Sequence, residues 1–200
     1  MSYYHRLGKI PPKRHIRFPR SGESFRNEGI YYEHVVTTEG FSRAYSILYH
    51  LYPPTRNLSV QRVGDLTLQS VDDLALRQHH FRTGQMGREK DPITGRIPMF
   101  FNEDLIAWRV RPEQQQQELF RNSAADEVIY IHQGGGTLVS PYGHLRYRRG
   151  DYIVVPRTTT YQLISDNISV EDHLVLECTG PVRLPQRYFN QDGQLLLGSP

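Results

Sequence analysis

Between Asp126 and Cys178 the chain alternates short apolar runs with glycine, proline and Asp/Asn punctuation, which is the pattern of antiparallel strands. Glu127–His132 runs into Gly134-Gly135-Gly136, and Thr137–Ser140 reaches Pro141-Tyr142-Gly143. Leu145–Arg148 turns at Arg149-Gly150-Asp151, and Tyr152–Val155 stops at Pro156. Tyr161–Ser165 turns through Asp166-Asn167, and His173–Cys178 ends at Gly180-Pro181. Strands this short, joined by tight turns over roughly fifty residues, predict a small sandwich or jelly roll.

Upstream the pattern is weaker. Ala44–Tyr52 reads as a strand closed by Pro53-Pro54, and Ile97–Phe101 and Leu105–Val110 read as two more around the turn Asn102-Glu103-Asp104. Val60–Val71 and Leu74–Phe81 alternate less well, and Gly84–Gly95 is a polar loop. These upstream strands are expected to form a second sheet packed on the core. One window, Glu113–Arg121, fits either a weak helix or an extended glutamine-rich linker. Pro11-Pro12 and Pro19 remove backbone donors from the first thirty residues. The expected organisation is an extended arm over residues 1–30 and one all-β sandwich domain over residues 31–200.

Composition narrows the class. Thirteen tyrosines and 16 glycines in 200 residues favour β structure over helix. The formal net charge of +3 is unevenly placed, because Arg6, Lys9, Lys13, Arg14, Arg17 and Arg20 all precede the first acidic residue, Glu23. Without a nucleic-acid-binding motif, this basic arm is read as lying on its own domain or a neighbouring subunit, with no nucleic-acid partner. No apolar run approaches the roughly 20 residues that cross a bilayer, and the first residues lack the apolar stretch of a secretory leader. Cys178 is the single cysteine, which precludes an internal disulfide and fits a cytoplasmic protein. Its expected face, shared with Leu174 and Leu176, makes it a buried structural thiol.

Nine histidines raise the question of a metal. His79 and His80 are adjacent, so on a strand they point to opposite faces. His173 shares a face with Glu171 and Glu177, a pattern read as a solvated charged face. His132 lies with Val128 and Tyr130, opposite Glu127. His5, His15, His34, His50 and His144 have no partner at a familiar ligand spacing. The chain carries neither a nucleophile elbow nor a phosphate-binding loop. The Gly134-Gly135-Gly136 run could cradle an anion, although a hairpin turn needs no ligand. Glu127 and Tyr161 are both placed to face the interior, where with Arg121 they could line a small pocket. A filled, hydrogen-bonded interior is the plainer expectation.

The spacing resembles that of a cupin, a double-stranded β-helix. Glu127 stands seven residues before Gly134, and Gly150 and Pro156 fit the G-x5-P of a second motif. Metal-binding cupins carry two histidines shortly before that glutamate and a third five positions after the proline. Here those places hold Phe120, Arg121, Asn122 and Ser123, and Tyr161. A lone glutamate is not a metal site, so the resemblance implies a degenerate cupin without metal.

Longer stretches resemble homogentisate 1,2-dioxygenases, especially bacterial ones. They are YYHRLGKIPPKRH at the N-terminus, LYHLYPPT at 48–55, ADEVIYIHQGGGTL at 125–138, GDYIVVPRTTTYQ at 150–162 and RYFNQDGQLL at 187–196. In that family the chain is about twice as long, and the resemblance here covers the first half. The second half carries Fe(II) on two histidines and a glutamate, and opens the ring of homogentisate to maleylacetoacetate in tyrosine and phenylalanine catabolism. Family members assemble as trimers or hexamers.

The resemblance therefore implies a structural, metal-free N-terminal domain, inactive alone, whose partners are its own copies or a catalytic C-terminal half. No residue here inherits an iron-ligand role. Two other expectations stand beside it. One is a free-standing cupin that holds a small aromatic acid with Glu127, Tyr161 or Arg121. The other is an assembly subunit for a separate catalytic half.

Overall fold

The computed structural model describes residues 31–40, 42–70, 77–190 and 194–199. The chain divides between Met86 and Gly87 into two compact units. The arm expected over residues 1–30 lies outside the described residues.

In the first unit, β1 (Tyr32–Glu39) and β2 (Ser42–His50) pair as an antiparallel ribbon around Gly40, which adopts φ +58°. β2 overlaps the expected Ala44–Tyr52 strand but ends earlier. β1 was not anticipated, because Glu33, His34 and Glu39 interrupt its apolar residues and only the pairing across the turn reveals it. Residues 60–70 form no strand, and Val60, Val63 and Leu66 are exposed. Their alternation finds no sheet to pack against. Residues 77–81 also form no strand, and Val71 and the start of the expected Leu74–Phe81 segment lie outside the described residues.

Among the described residues the second unit contains nine strands in two antiparallel sheets. β3 (Arg96–Phe101), β4 (Leu105–Val110), β11 (Asp172–Cys178), β6 (Asp126–Gln133) and β9 (Tyr152–Val155) lie in that order in one sheet. β5 (Phe120–Arg121), β10 (Thr160–Ser165), β7 (Gly135–Ser140) and β8 (Gly143–Arg148) form the other. Apart from the β3–β4 and β7–β8 hairpins, the chain crosses from one sheet to the other at each successive strand, the winding of an all-β double-stranded β-helix, or jelly roll. Among the described residues no helix is long and apolar enough to cross a membrane.

Two expectations need correction. The strands at 97–101 and 105–110 do not build a separate second sheet. β4 pairs with β11 along its whole length, from Leu105 opposite Cys178 to Val110 opposite His173, and so extends the core sheet. β6 pairs with only one edge of β11, and β4 fills the other, which makes β11 the central strand. The 113–121 window forms no helix. Its glutamines dress the edge of β10 instead. Gln115 accepts from Ser165 N–H at 3.0 Å and donates to Ser165 C=O at 2.8 Å, while Gln116 accepts from Leu163 N–H at 2.9 Å. Side-chain amides here supply the donors and acceptors that a neighbouring strand would otherwise provide.

Strand register stacks the inward side chains in layers. Ile129, Val175, Trp108 and Ile153 from one sheet, with Leu138 and Leu163 from the other, make a buried apolar middle layer. Polar clusters lie on either side of it. Glycine permits one of them. Gly134 has φ +98°, and a Cβ there would lie 2.6 Å from the Glu171 carboxyl. Gly136 has no room either, because its Cβ would meet Ile164 O at 2.2 Å and the Tyr147 hydroxyl at 2.6 Å.

Because Ile164 O is a ladder carbonyl that cannot swing aside, Gly136→Ala is expected to destabilise the protein by about 1–3 kcal/mol or more. A urea midpoint unchanged from wild type would show that the sheet yields freely at this point.

Candidate functional site

The first polar cluster gathers residues from four strands. β6 places Glu127 and β11 places Glu177 directly opposite each other on the inner face. β10 brings Tyr161 from the facing sheet, and β3 supplies Arg96. One Arg96 nitrogen donates to Glu127 Oε1 at 2.5 Å and to Glu177 Oε1 at 2.7 Å, and the other donates to the Tyr161 hydroxyl at 2.9 Å. That hydroxyl in turn donates to Glu127 Oε2 at 2.6 Å, and Asn122 Nδ2 reaches Glu127 Oε1 at 3.4 Å. The Phe120 ring packs edge-on against Tyr161 and lies 5.3 Å from the Arg96 guanidinium carbon.

Burial sets the electrostatics. The Glu127 side chain is 0% exposed and that of Arg96 only 6%. Burial alone would lower the Arg96 pKa, but the Tyr161 oxygen and the Glu127 and Glu177 carboxylates outweigh it and hold the guanidinium charged. Burial, and then Glu127, pushes the Tyr161 phenol well above its ordinary value against the opposing effect of Arg96. Burial also raises the Glu177 carboxyl, with Arg96 pulling the other way and Glu127 adding to the rise. One fixed cation thus faces two carboxylates, and only one of these can be fully neutralised.

The second cluster surrounds Glu171, which is fully buried. Its carboxylate accepts from Gly135 N–H at 3.0 Å and from Ser165 Oγ at 2.7 Å, and pairs with His173 Nε2. The glycine run does cradle an anion, and the anion is the protein's own glutamate. The Tyr147 ring meets His173 edge-on. Burial, and then Glu171 and Asp166, raises the Tyr147 phenol.

The structure therefore joins Glu127 to Tyr161 but not to Arg121, which is exposed on β5 one residue beyond the inward Phe120. Arg96 is the residue that sequence reading missed. The face carrying His173 and Glu177 is also corrected: it is the interior, with His173 only 1% exposed. Cys178 is half-buried, and burial raises its thiol pKa. His34 and His50, read as unpartnered, are in contact.

A cavity of about 170 Å³ is lined by Leu138 and Ile153 of the middle layer, with Leu145, Val155 and Thr159 among others. No charged side chain lines it, and neither Glu127, Tyr161 nor Arg121 does. Among the described residues no three histidine, cysteine, aspartate or glutamate side chains converge to hold a metal ion. Glu127 and Glu177 are already engaged by Arg96, and Glu171 by His173, Ser165 and Gly135, so the donors present do not fit the facial triad of an Fe(II) centre.

The strand order and filled interior define a double-stranded β-helix of the cupin kind. No family model matches the chain. Over all 200 residues it is 34% identical to a Saccharolobus solfataricus protein named "Putative dioxygenase SSO1533". The match covers 100% of this chain and 50% of that one, so the chain spans half the length of this curated relative. Among solved structures, the cupin domain of Schizosaccharomyces pombe Cnp3 superposes with a TM-score of 0.44 and 11% identity, over 75% of this chain and 88% of that one. KdgF from a Halomonas species does so with a TM-score of 0.42 and 17% identity, over 51% and 94%. At these scores the fold assignment rests on the strand order and register.

Removing the guanidinium would leave two buried carboxylates facing each other. Arg96→Met is expected to destabilise the protein by roughly 3–5 kcal/mol in chemical denaturation. Adding Glu127→Gln should recover part of that loss, and strictly additive effects would show that the pair is uncoupled.

The raised Glu177 pKa has its own consequence. The folded state holds this proton more tightly than the unfolded chain, whose glutamates titrate near about 4.3. The associated stability is present in full below that pH and is lost as pH rises through the higher folded value. Glu177→Gln should therefore flatten the decline in stability on the alkaline side of that point. An unchanged slope would place Glu177 outside the titrating set.

Proposed function

We propose that this chain is the N-terminal, metal-free cupin domain of a homogentisate 1,2-dioxygenase-like protein, with a supporting and assembly role and no ring-cleaving activity alone. The observation that carries this reading is the interior itself. On one side of the apolar layer a guanidinium binds Glu127, Glu177 and the Tyr161 phenol, and on the other Glu171 is held by Gly135, Ser165 and His173, so these carboxylates are already engaged by the protein's own groups.

The relative with dioxygenase in its name supports the reading, because this chain aligns from end to end with half of that protein. On this reading Fe(II) belongs to the other half, where the aromatic ring of homogentisate would be opened with O₂. The jelly roll would serve as a rigid platform for that half and for subunit contacts within a homo-oligomer. A free-standing binder of a small aromatic acid is less well supported, because the cavity lined by Leu138 and Ile153 offers no cationic side chain to a carboxylate.

The test is oxygen uptake by the purified chain after anaerobic loading with Fe(II) and addition of homogentisate. No uptake above the protein-free rate is expected. Turnover by this chain alone would overturn the proposal, since the interior would then have to open and release its carboxylates to iron.

A further inference from the structure

We propose that His34 and His50 form a two-imidazole site for a divalent transition-metal ion of the zinc, nickel or copper class, which staples β1 to β2. This inference is independent of the function proposed above. It concerns the first unit and starts from the ribbon register. Tyr32 pairs with His50 and His34 with Leu48, so the two histidines are diagonal neighbours on the same face.

Nδ1 of His34 lies 3.2 Å from Nε2 of His50, with ring centroids 5.3 Å apart and planes tilted by 39°. Two imidazoles on one tetrahedral zinc ion, with bonds of about 2.0–2.1 Å, hold their nitrogens roughly 3.3–3.4 Å apart. The observed pair needs to open by only a few tenths of an ångström to admit the ion.

Each ring brings one nitrogen to the gap between the strands, Nδ1 from His34 and Nε2 from His50. Imidazole suits zinc, nickel and copper, and binding strength rises towards copper in that series. Two protein nitrogens leave the remaining coordination positions to water, which describes an exchangeable ion rather than a closed structural centre.

The ribbon also has a use for the ion. Among the described residues β1 and β2 form a sheet of two strands. A two-stranded hairpin is marginal in water. An ion that binds both strands only when they are paired stabilises the pairing by mass action. The site joins residues 16 positions apart in sequence, so it cross-links the whole length of the turn between them.

The experiment is calorimetric titration of the full chain with zinc chloride, and separately nickel chloride, in a buffer that does not bind metals. Amide hydrogen exchange is followed over residues 32–50. The expected result is binding that is lost in both His34→Gln and His50→Gln and retained in His79→Gln, with slower exchange of β1 and β2 amides when the ion is present. Glutamine preserves polarity and approximate size, and unchanged exchange in residues 96–178 shows that a variant is folded. No binding by the wild-type chain would overturn the site. So would binding that persists in either His34→Gln or His50→Gln, or binding that leaves the ribbon's exchange unaltered.

Discussion

A single guanidinium governs the centre of the jelly roll. Arg96 arrives from the outermost strand of the five-stranded sheet and reaches inward to carboxylates on two other strands and a phenol from the opposite sheet. These hydrogen bonds tie together β3, β6, β10 and β11, so the relation between the two sheets depends on one side chain as well as on apolar packing. Buried ion pairs contribute little to stability in themselves, because desolvation offsets most of the attraction. Their geometric demand is strict, however. Each partner must be in place or a charge is left without compensation, and this selects one register among those the apolar layers alone would tolerate.

The second cluster solves the same problem with different chemistry. Glu171 is neutralised by backbone, hydroxyl and imidazole groups rather than by an arginine. It needs the bare backbone of Gly134 to approach closely enough. The glutamines before β5 apply the same economy at an edge, where side-chain amides complete what backbone pairing leaves open. The barrel is thus apolar in its middle layer, with a hydrogen-bonded polar cluster on either side. That explains why a fold that often encloses a ligand is here filled by its own side chains.

Much of this was legible in the residues. The glycine-punctuated alternation from 126 to 178 located six strands closely, and the two-residue period placed Glu127 and Tyr161 inside. What could not be read was partnership across long separations. Arg96 and Glu127 are 31 residues apart, and Arg96 and Glu177 are 81 apart, so their meeting is a property of sheet order rather than of any local motif. Arg121 looked like an interior cation because it falls near Glu127, but β5 turns Phe120 inward and leaves Arg121 outside. The alternating charges around His173 suggested a wet face, because charge on a strand usually means solvent. Here each charge has a fixed partner instead. His34 and His50 eluded a reading based on ligand spacing for a related reason: only the ribbon register makes them neighbours.

The buried triad also constrains how this sequence can drift. An exposed position can change one residue at a time with small effect. Arg96 cannot, because losing it leaves Glu127 and Glu177 facing each other without a cation in a dry interior. Replacement by an apolar set of similar volume is physically acceptable only as a near-simultaneous exchange at three distant codons. The cluster should therefore persist as an inherited unit in lineages that have no remaining use for a chemical site in this barrel, and its charge pattern can serve as a marker of descent where overall identity has faded.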